Sequence, residues 1–141
     1  MTDTTISRSI FLPAAREIVW QFLTDKDKLG LWFHPAESNL IEGQDFALVK
    51  TEDDGSTTKM CWGTVTAMNE PSSLTYTFTI KPLGGAMTTV TWTLEEILGG
   101  TKLSLKHVGL GEAAGDAAMG LLLALDGGWD KHLTALRSAS T

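Results

Sequence analysis

Apolar and polar residues alternate strictly along three stretches in the second half of the chain. Residues 74–80 place leucine, tyrosine, phenylalanine and isoleucine on one side and three threonines on the other. Residues 89–95 and 102–107 repeat this two-residue period. Such alternation is typical of antiparallel strands that have one face buried and the other in solvent. The pattern therefore predicts a sheet whose dry face packs against another layer.

Turn signals separate these stretches from one another and from earlier ones. Asp54-Gly55 and Gly99-Gly100 suit two-residue hairpins, because both central positions of such a turn take a positive φ. Residues 69–71 and 82–85 contain proline or glycine and mark two further reversals. An initial strand, Ile6 to Leu12, stops at a proline. We predict a curved antiparallel sheet of about six or seven strands.

Apolar residues at helical spacing lie on either side of the predicted sheet in the sequence. One set follows Pro13 and predicts a first helix, and residues 25–30 indicate a short second helix or turn. A stripe with spacings of three or four predicts one long helix over roughly Glu112 to Arg137. Gly120 and the pair Gly127-Gly128 indicate a kink, a break or a close approach of the sheet. The order of elements predicts an α+β sandwich of one sheet and one long helix.

Composition narrows the class of protein further. The 141 residues fit one domain, 1–141, and 43% hydrophobic residues are enough for a substantial core. A net charge of −6 argues against a nucleic-acid partner, which needs clustered lysine and arginine. The longest apolar run, residues 117–125, is too short for a membrane span, which takes about 20 residues. With no signal sequence and a lone Cys61, we expect a cytoplasmic protein without a disulfide or a membrane partner.

His107 is the most informative polar candidate, because its parity places it on the dry face of the last strand. It could bond a ligand or serve as a general base, or it could be a buried histidine satisfied by a backbone carbonyl or a helix side chain. We place His34 in a loop near a pocket mouth and His132 at a half-exposed helix edge. The three histidines share no metal-ligand spacing, and no nucleophile elbow or phosphate loop is present. We therefore expect no metal and no cofactor.

Five tryptophans are unusual beside a single tyrosine. Trp20 and Trp129 lie on or near the core-facing sides of helices, which favours core packing over ligand contact, whereas Trp92 on an inward strand position could equally pack or line a pocket. Trp62 has the opposite parity to Val65, so it points outward and suggests a dimer surface, unless a bulge reverses the register. Arg8 points either inward, as an anchor for a carboxylate, or outward at a twisted strand end.

The order of these pieces resembles the helix-grip fold of the START and birch-pollen-allergen superfamily, SRPBCC. More closely it resembles the branch homologous to the C-terminal domain of the activator of the ninety-kilodalton heat-shock protein ATPase. The pieces that carry the resemblance are Ile6-x-Arg8 through Pro13, Val19-Trp20, Leu31-Trp32-Phe33, Gly63-Thr64-Val65, Glu70-Pro71-x-x-Leu74-x-Tyr76, Gly100-Thr101-x-Leu103-x-Leu105-x-His107-x-Gly109 and Gly128-Trp129-x-x-x-Leu133.

The resemblance implies a domain that binds hydrophobic molecules in a central cavity, with some members acting as small-molecule enzymes and others as co-chaperones. We expect binding of a small hydrophobic or aromatic ligand between the sheet and the long helix. The expected ligand-binding residues are Trp32, Phe33, Phe78, Trp92, Leu105, His107, Leu122 and Leu125. Two alternatives stay open at this point: a protein-interaction module that stimulates a heat-shock ATPase, and a cyclase- or hydratase-type enzyme with His107 as the catalytic acid or base. Partners other than the ligand would be a chaperone or a second copy in a homodimer.

Overall fold

Six antiparallel strands among the described residues form the sheet that the alternation predicts. The computed structural model describes residues 5–80, 87–109 and 118–140, with the backbone alone at Ile80 and over 118–128. The strands are β1 (Ile6–Leu12), β2 (Asp45–Thr51), β3 (Thr57–Asn69), β4 (Ser73–Ile80), β5 (Thr88–Ile97) and β6 (Gly100–Val108). They lie in the order β1-β6-β5-β4-β3-β2. Strands β2 to β6 therefore form a meander, and β1 joins it beside β6.

Three helices accompany this sheet in the described part of the chain. They are α1 (Arg16–Thr24), α2 (Lys26–Leu29) and α3 (Ala118–Ser140). The Asp25 carboxylate caps α2 by accepting from the backbone N–H groups of Asp27 at 2.9 Å and Lys28 at 3.0 Å, and these bonds lower the pKa of Asp25. None of these helices is long and apolar enough to cross a membrane.

The long C-terminal helix differs in its bounds from the sequence prediction. Its predicted first turns, residues 112–117, lie outside the described residues, and it continues to Ser140 rather than ending at Arg137. The helix is unbroken across Gly120 and Gly127-Gly128, so a break at these glycines is excluded. One helix therefore carries both the residues before Gly127-Gly128 and the buried Trp129 that follows them.

The alternation of the strands is confirmed by burial. Along β5 and β6 the buried residues occupy every second position, and their partners on the other side are exposed or half-buried. The antiparallel register lines up the inward residues in rows across the sheet. One row joins Leu74, Trp92, Leu105 and Arg8, and the next joins Tyr76, Val90, His107 and Ile6.

Strand β3 comes unusually close to β4 at Gly63. A side chain there would place its first carbon 1.9 Å from the carbonyl oxygen of Thr77, so only glycine fits. The register of β3 against β4 is nevertheless the same on both sides of Gly63 and shifts only after Val65. Trp62 therefore keeps the parity that the sequence predicts, opposite the buried Val65, and is half-buried.

Helix α3 packs against the sheet through Trp129, Leu133 and Leu136, all of which are buried. Its exposed flank is fastened to the edge strand β1. The Arg8 Nε donates to the Asp130 carboxylate at 2.9 Å, so Arg8 has the carboxylate partner of the inward alternative, but the ion pair lies at the surface rather than in the core. Two nitrogens of Arg137 donate to the carbonyl oxygen of Phe11 at 3.0 and 2.9 Å. The orientation of the helix over the dry face is thus fixed along its final turns.

Candidate functional site

A chain of three hydrogen bonds runs from helix α3 into the sheet through His107. The Trp129 indole N–H, which can only donate, donates to His107 Nδ1 at 3.1 Å. The proton of the neutral imidazole is therefore on Nε2, which lies 2.7 Å from the Thr88 hydroxyl. Since the Thr88 hydroxyl donates to the carbonyl oxygen of Phe78 at 2.6 Å, its oxygen accepts from His107. Every bond in the chain has one donor and one acceptor, and we call it the His107 chain.

Burial keeps the imidazole of His107 neutral. The His107 side chain is fully buried, and burial lowers its pKa to about 4 because the charged form loses its hydration. Both ring nitrogens are engaged by protein groups. The sequence left open a ligand contact, a general base or a satisfied buried histidine. The geometry fits the buried histidine, because a helix side chain and a strand hydroxyl bond its two nitrogens.

Aromatic side chains surround the His107 chain and are in mutual contact. We call Trp32, Phe33, Phe78, Trp92 and Trp129 the aromatic cluster. The Trp129 ring is central, with ring centroids 5.4 Å from Phe33, 5.6 Å from Trp92 and 6.1 Å from Phe78. Trp32 lies 5.4 Å from Phe33 and 6.0 Å from Trp92. The tilted and edge-to-face angles of most of these pairs are the arrangements that aromatic quadrupoles favour.

The indole N–H groups of the cluster are all bonded inside the protein. The Trp32 N–H donates to the carbonyl oxygen of Phe22 at 2.7 Å, and the Trp92 N–H donates to the Tyr76 hydroxyl at 2.9 Å. The Tyr76 hydroxyl is itself buried, and desolvation raises its pKa. Because the Trp129 N–H is held by His107, the cluster presents apolar ring faces rather than unpaired donors.

One end of the aromatic cluster reaches the surface. Phe33 is half-buried, and its ring centroid is 4.5 Å from that of His132 and 5.0 Å from that of His34. The two imidazole centroids are 6.0 Å apart. His132 Nδ1 lies 3.1 Å from the carbonyl oxygen of Trp32, which can only accept, so Nδ1 carries a proton. We call Phe33, His34 and His132 the mouth.

Most of the residues predicted for the ligand site lie together in the structure. Trp32, Phe33, Phe78, Trp92 and His107 belong to one network of ring contacts and hydrogen bonds, and Leu105 is buried opposite Trp92 in the register. Leu122 and Leu125 fall within α3, but their side chains lie outside the described residues.

Sequence reasoning missed Thr88, and for Trp129 it favoured core packing over ligand contact without predicting a hydrogen bond to His107. Parity gives the signal for Thr88, since it is two residues before Val90 on the inward side of β5.

Cys61 is not a reactive thiol, because burial raises its pKa to about 12. Within the described ranges, no group of three or more His, Cys, Asp or Glu residues could hold a metal ion.

A curved antiparallel sheet packed on one C-terminal helix, with short helices after the first strand, defines an α+β protein of the helix-grip class. Residues 13–140 match the model of the family described as Activator of Hsp90 ATPase homolog 1-like protein, and the chain belongs to that family. This membership is consistent with the SRPBCC resemblance of the sequence. No curated protein matches the chain significantly.

Solved structures support the fold over nearly the whole length. Protein MLL2253 from Mesorhizobium loti is 22% identical with a TM-score of 0.75, over 96% of this chain and 95% of that chain. CalU16 from Micromonospora echinospora is 23% identical with a TM-score of 0.75, over 97% and 76%. The solution structure of an AHSA1-like protein from Aeromonas hydrophila is 18% identical with a TM-score of 0.74, over 96% and 90%. At these identities the likeness shows the fold.

The buried neutral His107 predicts an acid-sensitive stability. An unfolded histidine has a pKa near 6.5, whereas the folded value is about 4. The unfolded state therefore binds more protons between these values, and the free energy of unfolding falls as the pH drops from 6.5 towards 4. The His107 contribution is on the order of 3 kcal/mol across that window.

Urea denaturation at several pH values, for the wild type and for His107→Gln, measures this contribution. The wild type and the variant share all carboxylates, His34 and His132. The difference between the two proteins in how the free energy of unfolding changes with pH therefore reports His107 alone. Equal pH slopes below 6.5 would show that the folded protein holds this imidazole no differently from an exposed one.

Proposed function

We propose that the protein binds a small hydrophobic or aromatic molecule between its sheet and helix α3. The observation that carries the proposal is the aromatic cluster, which extends from the fully buried Phe78 to the half-buried Phe33 at the mouth. The family supports it as well, because its fold commonly binds hydrophobic ligands. Ligand pockets are typically lined by apolar and aromatic side chains with few polar groups, and the cluster consists of aromatic rings whose indole N–H groups are bonded within the protein.

The proposed walls of the site are Phe78, Trp92 and Leu105, with Leu122 and Leu125 expected to contribute from α3. Each aromatic contact with a ligand ring is worth about 0.5–1.5 kcal/mol beyond area burial. In this arrangement Trp32 and Phe33 flank the entrance. His107 would act as a positioning residue, since it holds Trp129 and Thr88 in place at 3.1 and 2.7 Å. A bond from a ligand to His107 would have to replace one of these partners.

The enzymatic alternative is less well supported by the same geometry. A cyclase- or hydratase-type reaction with His107 as acid or base needs a nitrogen free to exchange a proton with substrate. Here both nitrogens are bonded, and the pKa of about 4 makes the imidazole a weak base at neutral pH. Binding without chemistry is therefore the favoured function.

Quenching of tryptophan fluorescence by 2-naphthol tests the proposed binding. We expect saturable quenching in the wild type and affinity about 3- to 10-fold lower in Phe33→Ala, the loss of one aromatic contact. Phe11→Ala is the matched control, since Phe11 is an exposed phenylalanine of β1. No saturation at millimolar probe, or equal affinities of the two variants, would contradict the proposal.

The family description favours one second candidate, stimulation of a heat-shock ATPase. That activity would depend on a protein-binding surface rather than on the aromatic cluster. If it is the function, excess protein should raise ATP turnover of the ninety-kilodalton chaperone several-fold, and Phe33→Ala should stimulate equally. Unchanged ATP turnover at high protein excess would remove this candidate.

A homodimer through the Trp62 side of β3 and a cytoplasmic location stay predictions from the sequence.

A further inference from the structure

Two half-buried imidazoles flank the ring at the entrance to the proposed site. His34 and His132 both contact Phe33, with centroid distances of 5.0 and 4.5 Å. The bond from His132 Nδ1 to the carbonyl oxygen of Trp32 fixes that ring. It leaves Nε2, on the other side of the ring, as the atom that can take up a second proton. A ligand that passes Phe33 comes within reach of both imidazoles.

Two lysines are the charged side chains that act on this pair, Lys50 on His34 and Lys131 on His132. Lys50 is brought beside His34 by β2, because the Val49 N–H donates to the carbonyl oxygen of Pro35 at 2.8 Å. On α3, Lys131 adjoins His132, and the nearby Asp130 carboxylate is engaged by Arg8 at 2.9 Å. Glu37 is exposed on the loop that follows His34. Glu52, beyond the end of β2, accepts from the Thr58 hydroxyl at 2.9 Å.

Burial and a neighbouring lysine lower the pKa of each imidazole. Burial first, then His132 and Lys50, lower the pKa of His34. Burial also lowers the pKa of His132, the Trp32 carbonyl opposes this, and Lys131 adds to it. The mouth therefore lies beside two cations in a chain of net charge −6, and its imidazoles are mainly neutral at pH 7 before a ligand arrives. An anion would reverse the electrostatics and favour the protonated imidazoles.

We infer that the ligand is an aromatic or hydrophobic acid whose carboxylate lies at the mouth between His34 and His132, beside Lys50, and that a proton enters the site with it. This inference rests on the proposed function and adds the class of ligand. The apolar part of the acid contacts the aromatic cluster, and the anion stays at the half-exposed end, where it keeps part of its hydration. Charge-assisted hydrogen bonds from the protonated imidazoles would hold it.

Two probes of nearly the same shape, the anion 2-naphthoate and the neutral 2-naphthamide, test the inference. We expect 2-naphthoate to bind at pH 6 about tenfold or more tightly than 2-naphthamide, the range that a hydrogen bond to a charged group supplies. Titration calorimetry in PIPES and in Bis-Tris at one pH between 6 and 7, two buffers with different enthalpies of ionisation, measures proton uptake. Naphthoate should take up a fraction of a proton, and naphthamide none. Affinity for naphthoate should rise as the pH falls from 7.5 to 6, while that for naphthamide stays constant.

Substitutions at the mouth and at Lys50 test whether these residues cause the proton uptake and the preference for naphthoate. The double variant His34→Gln, His132→Gln should lose proton uptake and should bind naphthoate and naphthamide with similar affinities. Lys50→Gln should weaken naphthoate by a few-fold. Lys102→Gln on the exposed side of β6 is its control, since it changes the net charge equally and should have no effect.

The outcomes separate the two levels of the proposal. Equal affinities for the two probes without proton uptake would overturn the anion site and leave hydrophobic binding in place. Binding of neither probe would overturn both. A naphthoate preference that persists in the double histidine variant would place the anion elsewhere and overturn the inference.

Discussion

The structure depends on how one buried imidazole is satisfied. A histidine in the dry layer of a sandwich would cost several kilocalories per mole if its nitrogens were left unpaired. The Trp129 indole and the Thr88 hydroxyl pair both nitrogens, and the Phe78 carbonyl completes the chain. Because the donor Trp129 comes from α3 and its acceptor His107 from β6, which is bonded in turn to β5 and β4, these bonds fix the rotation of the helix over the sheet. Apolar packing alone, which is not directional, would leave that rotation less defined.

The proposed site follows from this constraint. With Trp129 held by His107, its ring is positioned against Phe33, Phe78 and Trp92. The next turn of α3 then brings His132 to the Phe33 ring and to the Trp32 carbonyl. The buried polar chain and the half-exposed mouth therefore lie at successive turns of one helix. A ligand between sheet and helix would contact an apolar interior held by hydrogen bonds between neutral groups, and an entrance that lies beside Lys50 and Lys131.

The sequence was sufficient for the sheet and for the inward placement of individual residues. Period-two alternation predicted that Phe78, Trp92 and His107 face the core and that Trp62 faces away, because parity along a strand needs no knowledge of the partner layer. It could not predict the bond between His107 and Trp129, which lie 22 residues apart. That contact depends on the crossing of the helix over the sheet, which no local pattern encodes. Thr88 was overlooked because threonine at a strand start has no hydrophobic signal.

The same limit applies to the mouth. His34 and His132 were placed separately in the sequence, one in a loop and one at a helix edge, and each position is as expected. Their proximity to each other and to Lys50 arises from the pairing of Ala36 with Leu48 in β2 and from the docking of α3. A single sequence gives the two positions, whereas their distance is a tertiary property.

The most direct test of ligand binding beside α3 uses the five indole N–H signals in a two-dimensional nitrogen–proton NMR spectrum, assigned by single Trp→Phe variants. On titration with 2-naphthol, the signals of Trp32, Trp92 and Trp129 should shift together and saturate with one dissociation constant. The signal of Trp62, on the other side of the sheet, should stay in place. Shifts confined to Trp62, or no saturable shift in any of the three, would contradict a ligand site between the sheet and helix α3.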